Sequence, residues 1–189
     1  LDISERIENI NKILNLKEIK SYMEIGGGFG ANIHLLLENF KNIKKIFYID
    51  IVPNLFVGTE YLRGLFGKSV KDYSTTRNQS EISFEKNNIL EIICIPPWEM
   101  KKISSKVESF HNAASFQEMS FEQVENYKNL IKKLLNKNSI SLIVYKGWEK
   151  NNTLGPDEIN KIFDNQLIKR EFAVLDNPTK EKLIYLTSI

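Results

Sequence analysis

Cysteine and histidine are nearly absent from this chain of 189 residues, which contains one cysteine and two histidines. A single cysteine cannot close an intrachain disulfide, and we therefore expect a reducing, cytoplasmic environment. Because Cys94 lies within an apolar run, we expect its thiol to be buried and inert. So few thiol and imidazole groups also exclude a zinc site built from cysteine and histidine, and no residue is predicted as a metal ligand. A magnesium site built from oxygen ligands alone would leave no recognisable pattern in this sequence.

An excess of one charge and long apolar runs are lacking as well. The 26 Lys and Arg residues nearly balance the 24 Asp and Glu residues, for a net charge of +2. This balance gives no reason to expect nucleic acid or an anionic membrane as the partner. No apolar stretch approaches the roughly 18 residues of a membrane-spanning helix. Because the chain begins with Leu1, we expect it to be part of a longer protein.

The length and the 42% hydrophobic content suit a single domain over residues 1–189. Apolar periodicity predicts strands that alternate with helices. The predicted strands lie near residues 21–25, 45–50, 89–95, 107–112 and 139–145. Two extended runs, near 167–175 and 182–188, follow as a pair joined through a turn at 176–178. This order predicts an α/β, Rossmann-like fold: a mostly parallel sheet, helices on both faces and an antiparallel C-terminal strand pair.

Two segments are expected to lie outside this alternation. Residues 1–20 are predicted to be a helical lead-in, with apolar residues at helical spacing between residues 3 and 14. Residues 68–88 are polar and contain only isolated apolar residues. We expect them to form an irregular loop that is a candidate lid, since long irregular insertions in compact domains tend to be functional.

The most informative segment is the glycine-rich run at residues 22–30, Tyr-Met-Glu-Ile-Gly-Gly-Gly-Phe-Gly. Its glycines let the backbone turn sharply after a strand, and the following helix presents unpaired N–H groups. The next predicted strand ends at Asp50, whose carboxylate can accept hydrogen bonds from both ribose hydroxyls of a nucleoside. The pattern predicts a nucleoside-cofactor site made by Gly26, Gly27, Gly28, Gly30, Asp50 and Ile51.

Two cofactor classes fit this site. Gly26, Gly28 and Ala31 match the dinucleotide pattern G-x-G-x-x-G/A. Residues 24–30 also match E-x-G-x-G-x-G, which resembles motif I of the class I methyltransferases that use S-adenosylmethionine. The carboxylate of Glu24 suits the ammonium group of S-adenosylmethionine and would repel a pyrophosphate. A nicotinamide-dependent oxidoreductase is one alternative, and a non-catalytic, methyltransferase-like binding domain is another.

Three further segments resemble one particular family among the methyltransferases. They are residues 50–62, residues 95–98 and residues 112–119, the last reading Asn-Ala-Ala-Ser-Phe-Gln-Glu-Met. These segments resemble the sugar O-methyltransferase family of bacterial surface-polysaccharide gene clusters, and the likeness covers nearly the whole chain except the 68–88 insertion. It implies an S-adenosylmethionine-dependent enzyme that methylates a hydroxyl of a sugar or glycan precursor.

Transfer to a sugar hydroxyl calls for a base, because that hydroxyl is barely ionised at neutral pH. Glu118 follows the strand at 107–112, at the sheet edge where ligands bind, and is one candidate. Its alternative role is that of an acidic residue at a helix entry. His111, within the strand, is the other candidate, with a supporting role in the strand as its alternative.

Polar and aromatic residues at the same edge complete the predicted site. Asn112 is predicted to contact the cofactor, and Ser115 and Gln117 the sugar, because these side chains both donate and accept hydrogen bonds. Trp98 follows the strand at 89–95 and offers a flat apolar face to adenine or to a pyranose ring. Partial packing in the core is the alternative for Trp98.

Overall fold

The computed structural model describes residues 3–146, 153–171 and 182–188. Its strands are β1 (Ser21–Ile25), β2 (Lys45–Ile49), β3 (Val70–Lys71), β4 (Glu91–Ile95), β5 (Val107–Ala113), β6 (Leu135–Lys146), β7 (Ile168–Glu171) and β8 (Lys182–Ser188). Its helices are α1 (Ile3–Leu14), α2 (Ala31–Asn39), α3 (Asn54–Phe66), α4 (Tyr73–Thr76), α5 (Phe121–Leu134) and α6 (Pro156–Ile162).

The strands form one eight-stranded sheet in the order β3-β4-β2-β1-β5-β6-β8-β7. Strands β1 to β6 pair in parallel, whereas β8 runs antiparallel to both β6 and β7. The predicted α/β fold with an antiparallel C-terminal pair is therefore confirmed. The turn predicted at 176–178 lies outside the described residues. Because parallel strands point the same way, the carboxyl ends of β1, β2, β4 and β5 meet at one edge.

Both faces of the central strands are buried, as expected of a parallel sheet that is covered by helices. All five residues of β4 are buried. Helices α5 and α6 contribute buried residues to the core on one face, and α1, α2 and α3 contribute to the core on the other. Cys94 lies in this second layer as a free, buried thiol, and burial raises its pKa to about 12.

Residues 68–88 differ from the irregular loop that the sequence predicts. Val70 and Lys71 form the edge strand β3 beside β4, and α4 follows directly. Ile82 is fully buried, and its backbone forms a bridge to Ile103. The segment is therefore tied into the sheet edge and the core. Pattern reasoning missed this structure because two-residue strands and isolated apolar residues have no detectable period.

Candidate functional site

The glycine loop between β1 and α2 makes the sharp turn that its sequence predicts. Gly26, Gly28 and Gly30 have positive φ angles of 73°, 59° and 88°, a conformation that residues with a side chain rarely adopt. A Cβ atom on Gly26 would also overlap the hydroxyl of Ser115. The absence of a side chain at Gly26 therefore lets the loop after β5 approach the glycine loop.

Asp50, immediately after β2, holds the glycine loop in place. Its carboxylate accepts hydrogen bonds from the backbone N–H of Gly28 at 2.7 Å and of Ile51 at 2.7 Å. Burial raises the pKa of Asp50 above its ordinary value, although both of these hydrogen bonds lower it. Each carboxylate oxygen can accept a further hydrogen bond. The predicted contact with two ribose hydroxyls is thus compatible with this geometry.

A chain of adjoining cavities follows this edge of the sheet. The cradle cavity, of about 360 Å³, lies above the glycine loop and Asp50. An inner cavity of about 140 Å³ shares Gly26, Gly28 and Ala113 with it and extends toward α1. An outer groove of about 390 Å³ shares Ile51, Pro97 and Tyr127 with the cradle cavity and extends the other way. A long ligand could therefore lie across the glycine loop.

The predicted site residues are distributed among these three spaces. Gly26, Gly28, Asp50, Ile51, Ser115 and Glu118 line the cradle cavity. Glu24, Gly27 and His111 line the inner cavity. Trp98 lines the outer groove and is 61% exposed, so it is not packed in the core. Gly30 lies behind the loop, against Leu62. No residue of 68–88 lines any of the three spaces, and the lid role stays a prediction.

Asn112 lines none of these spaces, contrary to its predicted contact with the cofactor. Its amide donates hydrogen bonds to the carbonyl of Ile25 at 2.8 Å and to Ser115 Oγ at 2.5 Å. Its carbonyl oxygen accepts one from the N–H of Phe116 at 3.2 Å. Asn112 therefore fastens the loop after β5 to the end of β1. It shapes the cradle cavity without facing it.

Gln117 is also buried away from the three spaces, which argues against its predicted contact with a sugar. Its amide donates to the carbonyl of Tyr145 at 2.8 Å and to that of Leu154 at 3.3 Å. Its side-chain oxygen accepts from the N–H of Tyr145 at 2.6 Å. All of these partners are backbone groups. Gln117 thus connects the 3₁₀ turn at Ser115–Glu118 to β6 and to the chain before α6.

The structure separates the two candidate bases. Glu118 is exposed within the cradle cavity, whereas His111 is 1% exposed and borders the inner cavity. His111 Nδ1 lies 3.1 Å from the carbonyl oxygen of Ser141, and burial lowers the pKa of its imidazole to about 4. A buried, weakly basic imidazole away from Glu118 favours the supporting role for His111.

Glu24 is 2% exposed and has one carboxylate oxygen without a partner. Asn32 Nδ2 donates to Oε1 at 3.0 Å, but Oε2 has no hydrogen bond among the described residues. Burial raises the pKa of Glu24 to about 8, more than the hydrogen bond from Asn32 lowers it. The inner cavity therefore contains an acidic group whose ionised form lacks a cationic partner.

Tyr127 and Ala114 are site residues that sequence reasoning missed. Tyr127, from α5, lines both the cradle cavity and the outer groove, and burial raises the pKa of its phenol. In the sequence it lies on the same helix face as Val124 and Ile131, so it looks like part of the core. Ala114 has a φ of 66°, and this left-handed turn brings its backbone to the cradle cavity.

No family model and no curated protein matches this chain, so its relationships rest on solved structures. One similar structure is that of the magnesium protoporphyrin IX methyltransferase of Synechocystis PCC 6803 with bound S-adenosylmethionine. The alignment covers 99% of this chain and 78% of the chain of that enzyme. Its TM-score is 0.62 at 10% sequence identity. The chain has a class I methyltransferase fold. The methyltransferase domain of bacterial CtHen1 aligns over 99% of both chains, with a TM-score of 0.65 at 10% identity.

A third methyltransferase is longer than this chain. The mitomycin 7-O-methyltransferase MmcR is 10% identical, with a TM-score of 0.61 over 98% of this chain, and the chain spans 54% of its length. At these sequence identities the likeness concerns only the fold of the methyltransferases.

Within the described residues, no helix is long and apolar enough to cross a membrane. Nor do His, Cys, Asp and Glu residues cluster there in a group that could hold a metal ion.

Proposed function

We propose that this chain is an S-adenosylmethionine-dependent O-methyltransferase that acts on a hydroxyl of a sugar or glycan precursor. The observation that carries the proposal is the difference between the cradle cavity and the inner cavity, which adjoin at the glycine loop. Asp50 offers hydrogen-bond acceptors in the cradle cavity, and Glu24 offers an unpartnered, buried carboxylate oxygen in the inner cavity. A nucleoside that carries an amino-acid group, with its ammonium, matches both cavities.

The same carboxylate weighs against a nicotinamide cofactor. A dinucleotide places a pyrophosphate against the glycine loop and the N-terminus of the following helix. Glu24 borders the inner cavity beside Gly27 and Gly28, the glycines that such a pyrophosphate would approach. An anion there would be repelled once Glu24 ionised, whereas an ammonium group would supply the hydrogen-bond donor that Oε2 lacks.

The acceptor is assigned to the cradle cavity and the outer groove. Glu118 and Ser115 are polar groups at the cradle cavity, and Trp98 exposes an aromatic face in the adjoining groove. Aromatic faces pack against the apolar faces of sugar rings, and carboxylates accept hydrogen bonds from sugar hydroxyls. The sugar assignment also rests on the resemblance of residues 112–119 to sugar O-methyltransferases.

When bound, S-adenosylmethionine supplies a methyl group that is already activated for transfer. The chain's task is then to align the acceptor oxygen, exclude water and remove a proton. Glu118 is the group at the cradle cavity that we assign to the proton, because its exposed carboxylate faces the space shared by both ligands. Asp50 and the glycine loop hold the nucleoside, and Tyr127 covers it from α5.

The cofactor assignment is tested by titrating the protein with S-adenosylhomocysteine and, separately, with NAD. A ligand at about one hundred times its dissociation constant should add about 2.7 kcal/mol of apparent stability. We expect S-adenosylhomocysteine to raise the melting temperature and NAD to leave it unchanged. The reverse result would establish the oxidoreductase alternative. Binding without methyl transfer to any member of a sugar and sugar-nucleotide panel would favour the non-catalytic domain.

The base assignment is tested with Glu118→Gln, which keeps the shape of the side chain but cannot take a proton. Turnover on a sugar acceptor should fall by about 10²-fold or more, with the affinity for S-adenosylhomocysteine unchanged. Glu125→Gln is the matched control, since Glu125 is an exposed glutamate on α5 and lines none of the three spaces. Near-normal turnover of Glu118→Gln would remove Glu118 from the reaction.

A further inference from the structure

Arg6, on α1, lines the inner cavity together with Glu24, Asn32 and His111. No motif in the sequence marks this residue. Its position follows from the packing of α1, whose buried residues Ile7 and Ile10 belong to the same core layer as α2. Helix α1 therefore places a guanidinium group at a cavity that is also lined by the glycine loop, α2, β1 and β5.

Both charged groups of the inner cavity have an unpartnered polar atom. Arg6 Nη2 donates to the hydroxyl of Tyr145 at 2.6 Å, which fixes one side of the guanidinium. Its Nε is buried and has no partner among the described residues, and the same holds for Oε2 of Glu24. Unsatisfied buried polar atoms are rare in proteins, and two at one cavity indicate a ligand that supplies the missing partners.

Arg6 and Glu24 do not satisfy one another. No hydrogen bond or ion pair joins them, although Arg6 is near enough to lower the pKa of Glu24 electrostatically. The inner cavity thus presents an acidic group and a basic group that are separate from each other. A ligand that complements both must carry a positive and a negative group close together, which is the chemistry of an α-amino acid.

We propose that Arg6 binds the α-carboxylate of the cofactor's amino-acid end, while Glu24 accepts a hydrogen bond from its ammonium group. Helix α1 is then part of the cofactor site and makes it specific for nucleosides that carry an intact amino acid. This assignment rests on the proposed function. A guanidinium is suited to the task because it presents several N–H donors in a plane, so that it can bond Tyr145 and a carboxylate at once.

The test compares three ligands by calorimetry on the folded protein. S-adenosylhomocysteine has the whole amino-acid end, its decarboxylated analogue retains only the amine, and 5′-methylthioadenosine has neither group. The wild-type protein should bind S-adenosylhomocysteine roughly 10-fold or more tightly than the decarboxylated analogue, because that analogue loses the hydrogen bond between two charged groups. In Arg6→Met this difference should disappear, with the affinity for 5′-methylthioadenosine unchanged.

Lys12→Met is the matched control, because Lys12 lies on α1, is exposed and pairs with Glu8 away from the cavity. It should keep the wild-type preference for the carboxylate. An equal loss of affinity for all three ligands in Arg6→Met would overturn the proposal, since that result would mean Arg6 only holds α1 in place. If Arg6→Met does not fold, equal affinities of the wild type for S-adenosylhomocysteine and its decarboxylated analogue would overturn it. Failure of the wild type to bind any of the three would instead refute the proposed function.

Discussion

Glu24 should destabilise the ligand-free protein, and Glu24→Gln should therefore stabilise it in a pH-dependent way. Burial raises the pKa of this carboxyl from an ordinary 4.5 to about 8. Between these pH values the folded state binds a proton that the unfolded state has released. Stability contributed by this group is thus fully present below pH 4.5 and is lost as the pH rises through 8.

The size of the effect follows from the pKa difference. At 1.36 kcal/mol for each pH unit, Glu24 should lower the free energy of unfolding by about 3 kcal/mol at pH 7, by about 4 kcal/mol at pH 8 and by about 5 kcal/mol well above pH 8. Glutamine does not ionise, so the variant escapes this loss. Asn32 can still donate its hydrogen bond to the glutamine oxygen, as it now does to Oε1. Any poor fit of the new amide group would shift stability equally at every pH.

The assay is urea-induced unfolding of the wild type and of Glu24→Gln at pH 5, 7 and 8.5. The variant's advantage should grow between the first and last pH by several kcal/mol. His111 titrates in the opposite sense, because burial lowers its pKa to about 4, but both proteins contain it and its contribution cancels in the difference. The exposed control Glu125→Gln should show no such growth. A difference between wild type and Glu24→Gln that does not change with pH would refute the reasoning.

Two further predictions concern binding and the loop after β5. Cofactor binding should ionise Glu24, so calorimetry at pH 7 in buffers of different ionisation enthalpy should detect the release of close to one proton for each S-adenosylhomocysteine bound; no release would show that the ammonium group lies elsewhere. Gln117→Ala should lower stability by about 2 kcal/mol or more, because it removes three hydrogen bonds from a buried side chain to backbone groups of Tyr145 and Leu154. If Gln117→Ala lost turnover but kept its stability, that result would support the predicted contact of Gln117 with the substrate.

Helices and strands could be predicted from the sequence where their own residues favour the same structure as their packing in the fold. Helix α5 begins with a capping box formed by Ser120 and Gln123, a spacing that marks a helix start in the sequence itself, and α3 ends before Gly67, a residue typical of helix ends. Strand β3 could not be predicted in this way. It exists because β4 offers an open edge with which Val70 and Lys71 pair, and the sequence of two residues carries no record of that partner.

The site was predictable where the backbone itself forms it. The glycine loop and Asp50 occupy consecutive strand ends, so spacing along the chain was enough to place them together. Side-chain direction was not predictable from such spacing. Asn112, Ser115 and Gln117 lie within a few residues of one another, yet only Ser115 faces the cradle cavity, because Asn112 and Gln117 are turned toward backbone groups.

The buried charge of Glu24 links the stability of the fold to its proposed function. A buried carboxyl group with one unpartnered oxygen destabilises the protein when it ionises, and an apolar residue in its place would avoid that loss. Arg6 relieves it only in part: it lowers the pKa of Glu24 electrostatically, but the two side chains form no ion pair and each retains an unpartnered atom. The arrangement becomes favourable when a zwitterion enters, because the ligand then supplies a donor to Glu24 and an acceptor to Arg6. On the proposed assignment, binding of the zwitterion removes the destabilisation that the buried charge of Glu24 causes, and this gain contributes to the binding free energy of the ligand.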